Sequence, residues 1–322
     1  MNFQFTEDQQ AIAAMVRDLA RAETPPTTQA LAGLGLLAIA TEPALGGTGL
    51  GLVELCICLE ELAAYHPSTA RSLQVHNLWC VGAIQTLGTE AQKRRWIPPL
   101  ESALGSFGST TDGTRVDGVA HGEKASAVVV RQADGGLAVA PGPLPVVYRG
   151  KPLGFRESGP VSLSVEGVAL DPLTGDGAVV GDRAQVGLAA VAVGLASGAL
   201  REGALYASER QQFGQPIARF QAIQFKIADT ATAVDTARLM VHRAAWLADQ
   251  GRSIAPVASM ARRVATDAAL LATDHALQIH GGYGYTAEYA VEGFYRDARS
   301  AALAESTTES DRDRIAAKII AY

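Results

Sequence analysis

Residues 278–307 read QIHGGYGYTAEYAVEGFYRDARSAALAEST, and the fold turns on how this stretch is parsed. It opens as the end of an apolar helix and breaks at Gly281-Gly282. An aromatic, glycine-punctuated loop follows. A second helical run then carries Arg296, Asp297 and Arg299 and is expected to continue through Glu305. Paired glycines after a helix are an ordinary stop signal, because glycine reaches the left-handed conformation a C-cap needs. The order of events is more specific. A broken helix, an open backbone and a carboxylate after Ala301, Ala302, Leu303 and Ala304 suggest a ligand wall with a base beside it. In such an apolar setting the carboxylate would lose water and become a better base at neutral pH.

Outward from this stretch the chain is helical back to about residue 182. Residues 183–211 are rich in Ala, Val, Leu and Gly, so this helix must be buried on most sides. Ile223, Ile227, Val234 and Val241 form a helical stripe over 219–250, and Pro256 suits the first turn of a third helix reaching Ile279. With the run containing Glu305 and 315–320 as the fourth, short connections argue for a bundle. From about residue 106 to 171 the texture changes. Val128-Val129-Val130, Leu137-Ala138-Val139-Ala140 and Val161-Ser162-Leu163-Ser164-Val165 are β-type runs between turn residues. Before them, Thr6 with Gln9 forms a capping box that starts a helix at Glu7, and Pro25-Pro26 ends it. The expected fold is mainly α with a small β domain: an N-terminal helical domain (1–105), a shortened middle β domain (106–175) and a C-terminal four-helix bundle (176–322).

Composition narrows the function classes. Hydrophobic residues make up 48 % and charged residues 19 %, which suits a globular protein with a large core. The net charge of −6 and the lack of a basic block argue against nucleic acid or an acidic membrane surface as the main partner. Cys56, Cys58 and Cys80 are odd in number and read as buried thiols in a reducing cytosol. The start, MNFQFTEDQQ, lacks the pattern of a secretory signal, and no apolar run of about 18 residues escapes Gly or charge. A cytoplasmic location without a membrane span is expected. Gly33-Leu34-Gly35-Leu36-Leu37-Ala38 fits a dinucleotide fingerprint by letter, but no strand precedes it, so it reads as a loop or helix contact. His275 and His280 lack ligand-spaced partners and the bundle lacks Glu-x-x-His, so no metal is expected.

Four motifs, in order, resemble the acyl-CoA dehydrogenase family. Gly46-Gly47-Thr48-Gly49 with Glu60-Glu61-Leu62-Ala63 is similar to its N-terminal domain. Glu209-Arg210-Gln211-Gln212-Phe213-Gly214-Gln215-Pro216-Ile217, then Phe220-Gln221-Ala222-Ile223-Gln224, resembles a flavin-contacting block, and 278–285 resembles a second. Arg296-Asp297-Ala298-Arg299 precedes Glu305 at the spacing the family uses for its catalytic glutamate. The resemblance implies FAD-dependent α,β-desaturation of an acyl-CoA thioester, with Glu305 taking the α-proton and flavin the β-hydride. It implies that Arg210, Phe213, Phe220, Gln221, Gln278, Gly281 and Gly282 bind a flavin held mainly by the neighbouring subunit. Arg183 and Tyr285 are candidates for the acyl-CoA, though Arg183 equally suits a structural ion pair and Tyr285 the edge of a core. Electron-transfer flavoprotein is the implied electron acceptor.

The middle of the chain departs from the family pattern. Where the family has Thr-Glu-Pro and Gly-Ser-Asp, this chain has Ser109-Thr110-Thr111-Asp112-Gly113. His121-Gly122-Glu123-Lys124 survives, but Ala125-Ser126-Ala127 runs straight into Val128, and the flavin-binding Trp-Ile-Thr strand is gone. Ala304 replaces a common aromatic and Ser306 the usual glycine. Three readings follow. In the first, the chain is one subunit of a heteromer whose larger homologous partner supplies the strand, acting on a bulky acyl-CoA such as a steroid side chain. In the second it is a self-sufficient homo-oligomer. In the third it is a flavin-free or non-catalytic member.

Overall fold

The computed structural model describes residues 4–320. The first helix, α1 (Glu7–Ala20), starts at the capping box expected from sequence: Thr6 accepts from the Gln9 amide and Gln9 returns a bond to the Thr6 amide. A short helix, α2 (Thr28–Gly33), and two 3₁₀ turns follow where the apolar run 28–40 could have made one helix. Gly35 at φ 71° is what breaks it. The loop 46–51 leads into α3 (Leu52–Ala63), then α4 (Pro67–Gln74), a π-helical stretch (Val75–Val81), α5 (Gly82–Leu87) and α6 (Glu90–Trp96).

Seven strands follow: β1 (Gly105–Ser109), β2 (Arg115–Val119), β3 (Ala127–Arg131), β4 (Leu137–Pro141), β5 (Val146–Arg149), β6 (Val161–Ser164) and β7 (Asp171–Leu173). They form one sheet in the order β5-β6-β2-β1-β3-β4-β7, antiparallel except for β1 beside β3. The sheet is continuous, so the shortened segment leaves no missing rung between β1 and β3.

The remainder is α7 (Ala178–Glu209), a two-residue hairpin β8 (Gln211–Gln212) and β9 (Gln215–Pro216), α8 (Gln221–Asp249), α9 (Ala255–His280), α10 (Ala290–Leu303) and α11 (Thr308–Ile320). By length and composition α7 could cross a bilayer, but it is enclosed by protein instead. Its glycines explain how tightly. A Cβ on Gly194 would run into the Glu60 carbonyl of α3, and one on Gly198 into that of Ala64. Backbone thus meets backbone where α7 crosses α3. Asp249 ties the bundle to the first helices, accepting from the Leu52 and Val53 amides at 2.8 and 3.0 Å at the N-terminus of α3.

One expectation needs correcting here. Glu305 does not ride on the fourth helix; α10 stops at Leu303, and Glu305 sits in the break before α11.

Candidate functional site

Glu305 is the apex of a very tight turn. The Ser306 amide donates to the Ala304 carbonyl at 2.9 Å, and Glu305 between them has φ 68°. A turn closed over two residues with positive φ at its centre is rare and strained, costing a glutamate about 1–2 kcal/mol. The Ala-rich run gives no sign of it, since Ala, Leu and Glu all favour continued helix.

The surroundings differ from the apolar setting expected. The Glu305 side chain is only 5 % exposed, but it is ion-paired with Arg71 of α4. Its Oε1 also accepts from Gln74 Nε2 at 3.1 Å. The same Gln74 amide donates to the Ala184 carbonyl of α7, and Arg71 donates to Gln74 Oε1. Oε1 is therefore fully engaged, whereas Oε2 is buried with no partner among the described residues. Burial with an ionic partner, and not burial alone, is the state of this carboxylate.

Beside Glu305 lies a cavity of 430 Å³ between the sheet, the N-terminal turns of α7 and α11; its lining includes Trp79, Arg131, Leu137, Gln185, Glu305 and Arg314. Two further buried polar atoms on this wall lack partners, Trp79 Nε1 and Gln185 Oε1. Unpaired buried groups are costly, so a donor, an acceptor and a bare carboxylate oxygen around one cavity mark a place for a polar ligand. Arg131, at the end of β3, packs its guanidinium over Trp79 and Phe107, 4.9 and 5.2 Å from the ring centroids. Those two rings stack on each other at 4.2 Å. Arg131 makes no ion pair among the described residues, and burial lowers its pKa while Glu305 opposes that shift.

A second cluster occupies an exposed corner of the bundle. Phe213 and Gly214 form the tip of the β8–β9 hairpin with φ of 51° and 79°, the pattern of a two-residue turn that ordinarily takes Asn-Gly. A phenylalanine there is strained, and it is 92 % exposed. Nothing among the described residues explains why so large an apolar side chain is held outward. Phe220 meets its edge at a centroid distance of 6.1 Å. Arg210 lies 5.8 Å from the Tyr283 ring and engages no carboxylate among the described residues. Gln221, Gln278, Gly281 and Gly282 are exposed, and a Cβ built on either glycine meets no atom within 4 Å.

The positions singled out by sequence therefore fall in two places. Glu305 borders the cavity; Arg210, Phe213, Phe220, Gln221, Gln278, Gly281 and Gly282 gather at the corner, and none of these seven lines the cavity. Tyr285 is 85 % exposed on the loop after α9, outside both the cavity lining and any core edge. Arg183 also lies off the cavity: Asp182 and Gln185 line it one helical turn apart, while Arg183 points elsewhere on α7. Sequence reasoning missed Arg71, Gln74, Trp79, Arg131 and Gln185. No local pattern marks these five, and Arg183 was singled out by the resemblance alone. Among the described residues no group of three or more His, Cys, Asp or Glu side chains is arranged to hold a metal.

The donor set suits a flavin dinucleotide shared between chains. The corner offers a free guanidinium, open glycine backbone and an outward aromatic, which fit pyrophosphate and its flanking groups. The cavity offers unpaired polar atoms that fit a ring with hydrogen-bonding edges.

Comparison with known proteins identifies the family. The family profile described as "Acyl-CoA dehydrogenase, N-terminal domain" matches residues 6–103, and "Acyl-CoA dehydrogenase, C-terminal domain" matches 182–320. The probable acyl-CoA dehydrogenase YngJ of Bacillus subtilis is 33 % identical over 379 residues, covering 99 % of this chain and 100 % of the relative. That alignment is longer than this chain's 322 residues, so the relative carries segments absent here. The human mitochondrial short-chain specific acyl-CoA dehydrogenase is 33 % identical, covering 90 % of this chain and 81 % of the relative. Among solved structures, butyryl-CoA dehydrogenase from Megasphaera elsdenii superposes with a TM-score of 0.90 at 27 % identity, covering 99 % of this chain and 100 % of the other. A chain of the structure described as "Electron transferring flavoprotein of Acidaminococcus fermentans" gives 0.92, also at 27 %, with 99 % and 100 % covered. Motifs, fold and relatives converge: this chain belongs to the acyl-CoA dehydrogenase family, whose members are FAD-dependent oxidoreductases.

Proposed function

We propose that this chain removes the α-proton of a short acyl-CoA thioester through Glu305, within an assembly of at least two chains. The observation that carries the reading is Glu305 itself, a buried carboxylate on the cavity lining with one oxygen held by Arg71 and Gln74 and the other without a partner among the described residues. Oε2 is the atom that takes the proton. Arg71 and Gln74 fix the orientation of the carboxylate, so no rotamer search precedes the transfer. Trp79 Nε1 and Gln185 Oε1 orient polar atoms of the bound groups. A bound flavin supplies acceptance of the hydride lost from the β-carbon.

The cavity's size and its arginine, glutamine and carboxylate lining support a short acyl group over a steroid side chain. The names of similar proteins, which include short-chain, butyryl and glutaryl enzymes, point the same way. Arg210, Phe213, Gln278, Gly281 and Gly282 grip the dinucleotide of the adjoining subunit, because no part of that corner faces this chain's own cavity. Electron-transfer flavoprotein is the proposed oxidant of the reduced flavin. The three buried free thiols suit the reducing cytoplasm.

A second reading keeps a specific support. Arg131, which lines the cavity, already covers the faces of Trp79 and Phe107, which favours a heteromer in which a fuller homologous chain provides the flavin-binding strand. One experiment addresses both. The chain is purified alone and with its co-expressed homologue, its visible spectrum is recorded, and enoyl-CoA formation from butyryl-CoA is followed. Yellow protein and turnover from the chain alone support the self-sufficient enzyme. Colour and turnover only with the homologue support the heteromer. In either case Glu305→Gln is expected to lower kcat by about 10²–10⁴-fold; unchanged turnover would remove Glu305 as the base.

A further inference from the structure

Arg262 has no solvent exposure at all. It lies on α9 and does not itself line the cavity, yet both of its Nη atoms serve the turn that carries Glu305 and the helix after it, while Nε has no partner among the described residues. Nη2 donates to the carbonyls of Ala302 at 2.9 Å, Ala304 at 3.0 Å and Ser306. Nη1 is ion-paired with Asp311 of α11, which is equally buried. Asp311 in turn accepts from Ser306 Oγ at 3.0 Å. The carbonyls on both sides of Glu305 are thus bound by one planar cation, and the residue after Glu305 is bound a second time through Asp311.

We propose that Arg262, braced by Asp311, is the positioning residue of the base: it holds the strained turn that places Glu305 at the edge of the cavity. A left-handed glutamate in a turn closed over two residues persists only where its surroundings over-determine it. The Ala304 carbonyl closes that turn by accepting from the Ser306 amide, and the same oxygen is pinned by Arg262. Arg71 and Gln74 hold the tip of the side chain; Arg262 holds the backbone from which it springs. A buried ion pair is weak support for stability by itself, since desolvation offsets most of its attraction. The planar fork supplies what a simple charge could not, one arm on the carbonyls of the turn and the other on Asp311 at a fixed angle to it.

This rests on Glu305 being the base, and the test separates the two claims. Asp311→Asn, Arg262→Lys and Glu305→Gln, with the corresponding double variants, are made in the holoenzyme as it assembles. Steady-state kinetics with butyryl-CoA, flavin absorbance and hydrogen exchange of the segment 302–307 are then measured. Asp311→Asn keeps shape and hydrogen bonding, so it remains informative if Arg262→Lys does not fold. The expected result is faster exchange at 302–307, intact flavin absorbance and a KM within about twofold, while kcat falls at least about tenfold, as small misplacements of a reacting group do. In the Glu305→Gln background the same substitutions leave the residual rate unchanged. An unchanged kcat despite faster exchange overturns the proposal, as does an equal further loss on top of Glu305→Gln. If Glu305→Gln alone retains full activity, the assignment of the base fails instead, and faster exchange at 302–307 still upholds the clamp as a holder of that turn.

Discussion

Replacing Arg71 by methionine tests whether the Glu305 carboxylate depends on its ionic partner. The substitution keeps most of the apolar volume and removes the guanidinium. It leaves a carboxylate that is 5 % exposed with one neutral donor, Gln74 Nε2 at 3.1 Å. Removing one member of a buried pair costs about 3–5 kcal/mol, most of it the penalty of the charge left behind. Arg71 retains 15 % of its side-chain exposure, so water reaches the site partly and the low end applies, about 3 kcal/mol. The assay is urea unfolding at pH 7, with the midpoint and slope compared between variants. Arg71→Met combined with Glu305→Gln should recover about 2 kcal/mol of the loss, because no buried charge is then stranded. Arg149→Met, which breaks the exposed pair with Glu123, is the control and should show no measurable loss. A loss below about 1 kcal/mol for Arg71→Met, or no recovery in the double variant, would refute the reasoning, because the pair would then behave like an ion pair in water.

Three other outcomes follow from the structure. Burial pushes the Asp297 carboxyl up to about 6 from 3.8, against the opposing pull of the Phe155 amide and Arg296. A folded-state value above the unfolded one means the native state binds the extra proton. Stability is therefore highest below about pH 4 for this group and declines as pH rises toward 6, by about 2–3 kcal/mol in all. Asp297→Asn should flatten that decline when unfolding free energy is measured at several pH values. Gly194→Ala gains about 1 kcal/mol of helix propensity but forces a methyl into the Glu60 carbonyl and within 2.8 Å of the Ala63 side chain. Overpacking of 1–3 kcal/mol or more outweighs the gain, so calorimetry should show a lower melting temperature. Burial pushes Cys58 and Cys80 up to about 12 and Cys56 well above its usual range. Iodoacetamide at pH 8 should label none of them in the folded protein and all three in denaturant, as counted by mass spectrometry.

How much of this was readable beforehand follows from the range of each interaction. The Thr6–Gln9 box, the buried run of α7 and the β-type runs after residue 105 are local patterns, and local patterns survive in sequence. The exposed corner was readable too, since both of its halves are contiguous motifs. The environment of Glu305 was not. Arg71 and Gln74 reach it from more than two hundred residues away, and nothing in PSTARSLQ marks those two as anything but polar positions on a short helix. The break after Leu303 was hidden for a different reason. Intrinsic preference continues the helix there, and tertiary bonds from Arg262 override it. Arg262 in turn sits in an alanine-rich helix where an arginine reads as solvent-facing.

Both ends of α9 have now acquired work, and the helix between them is a rigid rod. Arg262 near its start and Gln278 near its finish are about 24 Å apart at the usual axial rise. On the proposed reading one end steadies the proton acceptor of its own subunit and the other touches the redox group of the next. A tilt of that rod is consequently registered at two reaction centres at once, so loosening the quaternary contact would detune the acceptor in a molecule whose own cleft had not changed by a single atom.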